Sequence, residues 1–352
     1  MNQRNTLENP TVAANPPGPV GLDVGYDAVR CVHLDGDRLC LRRQSAMYAV
    51  VPDSAGRRRL LSAAGVSYSH ADDSLLVIGD TAAEVSESFG VPLVPAFPDA
   101  GLPADDPVGR QVIATLVEST LGRGGGVCGL SVPGRTDADT GVVRFVGNLV
   151  TLAGYQPLIA HSAAAAGVVL HEASGLTGVT VDFGAARVDI SLLSRGREVW
   201  HADLARGAAS VVDDIARAGN LMFHDREGHR YRDLVAAREW IADPDRPGDH
   251  TSSRARKLSA DVDALLSDTC TLLRDVIDEC RAGRVATPLA VALTGGFANL
   301  PGLTGRFSDH LRRLDEAGHL TPLANDPRDG LTVARGLLML AELETPRVRA
   351  AA

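Results

Sequence analysis

The sequence predicts an α/β protein of two similar lobes, each with a smaller subdomain inserted. Three observations carry this. An Asp-x-Gly turn closes an apolar strand twice, at Asp23-Val24-Gly25 and at Asp182-Phe183-Gly184. Each copy is followed by a strand, a polar glycine turn (Asp35-Gly36-Asp37; Ser194-Arg195-Gly196) and a further strand. A supersecondary unit repeated at long range implies two like halves facing each other. Around these units helical and strand patterns alternate, the mark of an α/β architecture. The length, 352 residues, fits two or three domains. We divide it into a flexible tail (1–19), a first lobe (20–177, insert at about 46–110), a second lobe (178–345, insert at about 207–285) and a tail (346–352).

In order, Gly21 to about Val50 reads as three short strands joined by tight turns. From Asp53 to Pro107 the text is irregular and turn-rich, with a hairpin-like piece at Ser74–Asp80. Asp106-Pro107 opens a helix whose Val112, Leu116 and Leu121 share a face and which Gly122 ends. Val127–Pro133 is an apolar run suited to a central parallel strand. A helix over Val142–Gly154 and a strand at Pro157–Ala160 follow, and Ser162 is placed to cap an Ala-rich helix, Ala163–Val169. After the second Asp-x-Gly unit, Gly207–Arg284 is mostly helical, interrupted by a polar loop at Asp243–Asp249. Ser252–Cys280 has the spacing of one long amphipathic helix. Pro288–Leu293 is a buried strand running into Thr294-Gly295-Gly296, and a helix over Thr332–Leu343 ends the fold.

Bulk properties exclude several classes. With 45% hydrophobic and 22% charged residues a packed core forms. A net charge of −9 and 4% aromatics disfavour nucleic-acid binding by charge or by base stacking. The run Arg57-Arg58-Arg59 reads as a solvated loop. Cys31, Cys40, Cys128, Cys270 and Cys280 form no CxxC pair and no cluster with His, as expected of reduced structural thiols in the cytoplasm. No stretch approaches the ~20 apolar residues of a membrane span, and Met1–Pro19 has the character of neither a signal peptide nor a membrane anchor.

The chemistry concentrates at the glycine turns. Asp23 ends a strand, Gly25 lets the chain reverse close to an anion, and Arg30 on the next strand is within reach of the same phosphates. Asp182 and Gly184 repeat this, with Asp189 on the outgoing strand. One carboxylate from each lobe suits Mg²⁺ held mostly through water. Gly295-Gly296, between a buried strand and a helix, allow a flat ring or sugar to lie against bare backbone.

These pieces, in this order from Gly21 to Leu343, resemble the actin-like ATPase superfamily, which includes actin, MreB, ParM and the FtsA–PilM branch as well as sugar kinases. Gly21–Tyr26 is most similar to ParM-type filament proteins and their archaeal relatives, and Gly207–Ala216 resembles a loop–helix element of the FtsA–PilM branch. The resemblance implies a duplicated, ribonuclease H-like fold with ATP or GTP and Mg²⁺ between the lobes. It implies nucleotide contacts from Asp23, Gly25, Tyr26, Arg30, Gly184, Ala185, Gly207, Asp214, Gly295, Gly296 and Phe297, with the metal near Asp23 and Asp182. Weak ATP hydrolysis would involve Asp182 and His161. Relatives carry an acid or amide before the Ala-rich helix to orient water, whereas this chain reads Ile159-Ala160-His161-Ser162; a neutral imidazole can take that part. Asp27 also departs from the family's small residues. The implied function is a filament-forming cytoskeletal or DNA-segregation protein that associates with itself and with an adaptor or cargo. The alternative is a PilM-like adaptor that binds nucleotide with little hydrolysis and does not polymerise. A small-molecule kinase is less favoured, because its carboxylate base is missing.

Overall fold

Two sheets of one strand order organise the chain. The structure, a computed structural model, describes residues 18–97, 106–134, 141–224, 228–242, 252–283, 287–323 and 330–345. Its first half runs β1 (Val20–Val24), β2 (Ala28–Asp35), β3 (Arg38–Ser45), β4 (Met47–Pro52), α1 (Ala55–Ala63), β5 (Ser69–Ala71), β6 (Ser74–Ile78), α2 (Ala82–Phe89), β7 (Leu93–Pro95), α3 (Pro107–Leu121), β8 (Gly126–Ser131), α4 (Gly141–Leu152), β9 (Tyr155–Ile159) and α5 (Ser162–Leu170). The second half runs β10 (Gly178–Phe183), β11 (Val188–Ser194), β12 (Arg197–Leu204), α6 (Ala208–Ala218), β13 (Met222–His224), β14 (Arg230–Arg232), α7 (Leu234–Ala242), α8 (Ser253–Arg281), β15 (Leu289–Thr294), α9 (Leu303–Leu314), β16 (Leu320–Pro322) and α10 (Thr332–Glu344).

The sheets are ordered β3-β2-β1-β8-β9 and β12-β11-β10-β15-β16. In each, the strand that ends in the Asp-x-Gly turn is central, antiparallel to its hairpin partner and parallel to the next neighbour. Both central strands are buried along their whole length, which explains their unbroken apolar text. The edge strand β3 exposes Arg38 and Leu41 and brings Arg42 and Arg43, charges that discourage pairing with a foreign strand. Each sheet carries its own core: Leu22, Cys31, Ile113, Leu116 and Leu130 in the first; Val181, Phe183, Leu265, Leu273 and Phe307 in the second. In α8, Val262, Leu265, Leu266, Cys270, Leu273, Val276, Ile277 and Cys280 form one buried stripe, and the Ser252 hydroxyl accepts from Ala255 N at its start.

Several expectations need correction. The 53–107 stretch is not irregular: β5, β6, β4 and β7 form a four-stranded sheet, flanked by α1 and α2, with its own core of Val51, Leu61, Leu75 and Val77. Strands of three residues show no legible alternation, so this order was hidden. Arg57-Arg58-Arg59 lies in α1, whose N-terminus Ser54 caps, rather than in a loop; Arg58 and Arg59 are nevertheless exposed. Ser162 is the first helical residue of α5 and His161 holds the cap position, so the Ser162 hydroxyl serves another group. The β13–β14 hairpin breaks the helical run expected after Gly207. The polar loop at Asp243–Asp249, the tail after Thr345 and most of the N-terminal tail lie outside the described residues.

The two helices that trail the sheets are exchanged. α5 follows β9 but packs on β10 and β11; α10 follows β16 but packs on β1 and β8. Close approach requires glycine. A Cβ on Gly21 would meet Ala334 O at 2.1 Å, and one on Gly129 would meet Leu337 O at 2.1 Å. The exchanged helices cross at Gly336, where a Cβ would lie 1.7 Å from Ala165 O.

Candidate functional site

The two turns match residue by residue. Asp23 pairs across the hairpin with Arg30 and across the parallel edge with Ser131; Asp182 pairs with Asp189 and Thr294. A Cβ on Gly25 would approach Ala28 O at 3.0 Å and one on Gly184 would approach Arg187 O at 2.9 Å, so each turn is closed by the carbonyl three residues on. The duplication read from the sequence therefore extends to the neighbouring strand, where Ser131, which the sequence reading did not single out, matches Thr294.

Three carboxylates are nearly enclosed: Asp23 is 9% exposed, Asp182 8% and Asp189 8%. Arg30 Nη1 donates to Asp23 Oδ2 at 3.2 Å. Burial nonetheless pushes Asp23 above the usual carboxylate range, against the pull of Arg30. Asp182 is pushed up to about 7, first by burial and then by the charges of Asp189 and Asp23, while the Ser162 hydroxyl and Arg30 act the other way. Asp23 and Arg30 belong to the first lobe's hairpin, so the two turns are within electrostatic reach of each other. The single Ser162 hydroxyl hydrogen goes to Asp189 Oδ2 at 2.8 Å, so its relief of Asp182 is that of a neighbouring dipole. Asp189 is also within 4.0 Å of Arg187 and 3.7 Å of His201.

Two glycines close the second turn. Gly295 has φ +91°, and a Cβ there would lie 2.4 Å from both Asp182 Oδ1 and Phe183 O. Gly207 lies on the turn itself: Ala208 N donates to Gly184 O at 3.0 Å and Ala209 N to Ala185 O at 2.7 Å. Asp23, Gly25, Arg30, Asp182, Gly184, Ala185, Gly207 and Gly295 thus form one neighbourhood. Tyr26 is half-buried against the first core, Gly296 is exposed, and Phe297, 7% exposed, packs into the second core. Asp214 on α6 instead pairs with Lys257 at 3.6 Å and Arg217 at 3.7 Å. Asp27 reaches across the cleft to Arg238 of α7, 2.9 Å away.

His161 closes the site from the α5 side. Its Nδ1 is 2.8 Å from Glu198 Oε2, and its ring stacks on His201 with centroids 3.6 Å apart and an angle of 4° between planes. Sequence reading missed Glu198 and His201. His201 shares a face with Asp189 and Asp203, but Glu198 has the wrong parity, and only a bulge opposite Leu192–Leu193 brings it round. Among the described residues no three His, Cys, Asp or Glu side chains form a direct metal-binding set, and no helix is long and apolar enough to cross a membrane.

A family model described as Volactin matches residues 19–341. Among solved structures, the chain is similar to a MamK double helical filament, with 15% identity, 93% of this chain and 99% of that chain covered, and a TM-score of 0.68. It is similar to a non-polymerising MamK mutant bound to AMPPNP, with 16% identity, 94% and 100% covered, and a TM-score of 0.53. It is also similar to MreB 5 of Spiroplasma citri bound to AMPPNP, with 14% identity, 93% and 96% covered, and a TM-score of 0.53. No curated protein sequence matches the chain significantly. At these identities the likeness establishes the fold, a two-lobed actin-like one.

Proposed function

The chain belongs to the Volactin family, and on that premise we propose that it is a nucleotide-dependent, filament-forming protein that holds Mg·ATP or Mg·GTP between its lobes. The observation that carries this is the facing pair of Asp-x-Gly turns, with their buried carboxylates and the bare backbone of Gly295 beside Asp182. The donor set fits a hard divalent cation. Burial and the neighbouring charges of Asp189 and Asp23 raise the cost of ionising Asp182, and a cation near Asp23 and Asp182 would relieve it. With no three-residue ligand set among the described residues, that ion would keep most of its water. When bound, Mg²⁺ would neutralise charge on the phosphate oxygens. Arg30 would turn from Asp23 towards the phosphates, and the backbone at Gly25 and Gly184 would let them approach.

Self-association draws support from the fold relatives: one solved structure is a MamK filament, and another is a MamK mutant described as non-polymerising. Protomers stacked head to tail make a contact that does not close, so a polymer grows. We assign the protein to the cytoplasm, where such a polymer would organise the cell or segregate DNA through an adaptor. The adaptor-only alternative rested on the missing carboxylate before α5; Glu198 at His161 weakens that ground.

The test is pelleting and light scattering with Mg·ATP, Mg·GTP, Mg·ADP and a non-hydrolysable analogue, with phosphate release followed in parallel. Polymer that forms with triphosphate and is lost after phosphate release is the expected outcome. Protein that binds nucleotide but stays soluble at all concentrations and salts refutes the filament and selects the adaptor.

A further inference from the structure

We propose that the hollow between the C-terminal ends of α8 and α9 binds a small organic polyanion, a phosphorylated or polycarboxylate molecule, at a site separate from the nucleotide cleft.

The cavity has a volume of about 320 Å³ and is lined by Arg274, Ile277, Asp278 and Arg281 of α8 and by Arg313 and Leu314 of α9. That volume lies at the low end of the ~300–1,000 Å³ of small-molecule sites. The helical repeat builds the α8 wall. Arg274, Asp278 and Arg281 follow one another at spacings of four and three residues, so they stand in one row along the helix. Ile277, 2% exposed, gives the hollow an apolar base, and half-buried Leu314 adds to it from α9.

Charge singles this hollow out. The chain has 44 acidic and 35 basic residues, and many of its surface arginines find an acid: Arg312 pairs with Asp309, Arg306 with Asp263 and Arg217 with Asp213. Here the balance is reversed, with three guanidinium groups against one carboxylate. Asp278 is already engaged by Arg281, 3.3 Å away. Among the described residues Arg274 and Arg313 have no hydrogen-bond or ion-pair partner. Asp275 follows Arg274 but lies about 100° round the helix and does not line the hollow. Arg281 and Arg313 stand in the last turns of their helices, where a cation complements the helix dipole. Arg274 stands about two turns further in, beyond the reach of that effect.

The planar donors of a guanidinium match the oxygens of a phosphate or a carboxylate. An anion between Arg274 and Arg313 would take such bonds and would relieve the repulsion among three like charges. A bare ion would leave Ile277 and Leu314 uncovered, whereas a ligand with a carbon framework would rest on them.

The elements keep this site away from the cleft. Arg274 lies ~25 Å along α8 from Lys257, which pairs with Asp214 of α6. Asp315, just past Arg313, accepts from Leu320 N, and Leu320 pairs with Leu289 at the start of β15. Gly295 follows the other end of that strand, ~20 Å away.

The experiment titrates the full chain by calorimetry with inorganic pyrophosphate and, separately, with citrate, without divalent metal or nucleotide and at constant ionic strength. A saturable site is expected. Arg274→Gln and Arg313→Gln should each weaken it by about tenfold or more, through loss of one charge-assisted contact. Both side chains are exposed, so the variants should melt with the wild type. Arg312→Gln removes the same charge one residue away, from the pair with Asp309, and should leave affinity within about twofold. Arg30→Gln should also leave it within about twofold, which sets the cleft aside. Tighter pyrophosphate identifies a phosphorylated ligand and tighter citrate a polycarboxylate; either order supports the site. Absence of saturation by about 10 mM of both probes, or equal weakening by Arg312→Gln, would overturn the proposal. A loss confined to Arg30→Gln would overturn it too, since the anion would then occupy the cleft. Failure of the nucleotide reading would leave these outcomes untouched, because they are measured without nucleotide.

Discussion

Replacing Gly336 by alanine sets two effects against each other. In a helix interior Ala is favoured over Gly by about 1 kcal/mol. The new Cβ would, however, fall 1.7 Å from Ala165 O and 2.4 Å from Ala165 C, where an ordinary contact begins near 3.4 Å. α5 and α10 would have to part by roughly 1.5 Å in an interior that compresses little. Neither helix can slide away: Ala163, Ala165 and Ala166 are fully buried, and Leu337 O is fitted against Gly129. Overpacking of this kind costs about 1–3 kcal/mol or more, so sterics outweighs propensity. The expected result is a lower Tm, by up to roughly 8 °C for a net loss of up to ~2 kcal/mol after the propensity gain, using ~2–4 °C per kcal/mol for chains of moderate size, and a matching fall in the urea midpoint. Gly147→Ala in α4 is the control, since a Cβ there meets nothing within 4 Å; it should raise stability by up to about 1 kcal/mol. If Gly336→Ala proves as stable as wild type while the control behaves as stated, the helix crossing described here is wrong.

Asp182 makes the nucleotide-free protein pH-sensitive. Its carboxyl is raised from 3.8 to about 7, so its contribution to stability is whole below the unfolded value and lost as pH rises through 7; the ceiling is on the order of 4 kcal/mol. Thermal melts should fall between about pH 4 and about pH 7 and level off above that, and Asp182→Asn should flatten that slope; a slope unchanged in the variant argues against Asp182 as its source. Asp27–Arg238 spans the cleft on the surface and should be worth only ~0.2–1 kcal/mol. Asp27→Asn should therefore leave Tm nearly unchanged but speed release of a fluorescent nucleotide by up to about fivefold, and exchanging the two charges should restore the slow rate. Gly295→Ala meets both a positive φ and the Asp182 carboxylate; nucleotide affinity measured by titration should drop at least about tenfold, and unaltered affinity would place the nucleotide elsewhere.

Much of the frame was legible because it is built from strands with one environment along their length. β1, β8, β10 and β15 are enclosed on both faces, and their apolar text runs straight into the turn residues. The first insert was illegible for the opposite reason: β5 and β7 have three residues each, and neither contains a fully buried position. At the site, Asp23, Asp182 and Gly295 announce themselves by position after a strand. Glu198 does not, since period-two reading assigns it to solvent and a bulge leaves no mark in the sequence. Ser162 fits a helix cap on sequence grounds, yet its hydroxyl is directed to Asp189, a residue 27 positions away.

The exchange of α5 and α10 bears on ancestry. A half-length chain with one such sheet and its trailing helix would leave the inner face of its own sheet bare, because the helix that covers it comes from the other half. Such a forebear completes itself only as a pair that trades helices, and fusing the two genes end to end turns that handshake between molecules into one within a single molecule. Gly21 and Gly129, paired across β1 and β8, accept the incoming helix from the far end of the chain. On this view the cleft began as a seam between two copies.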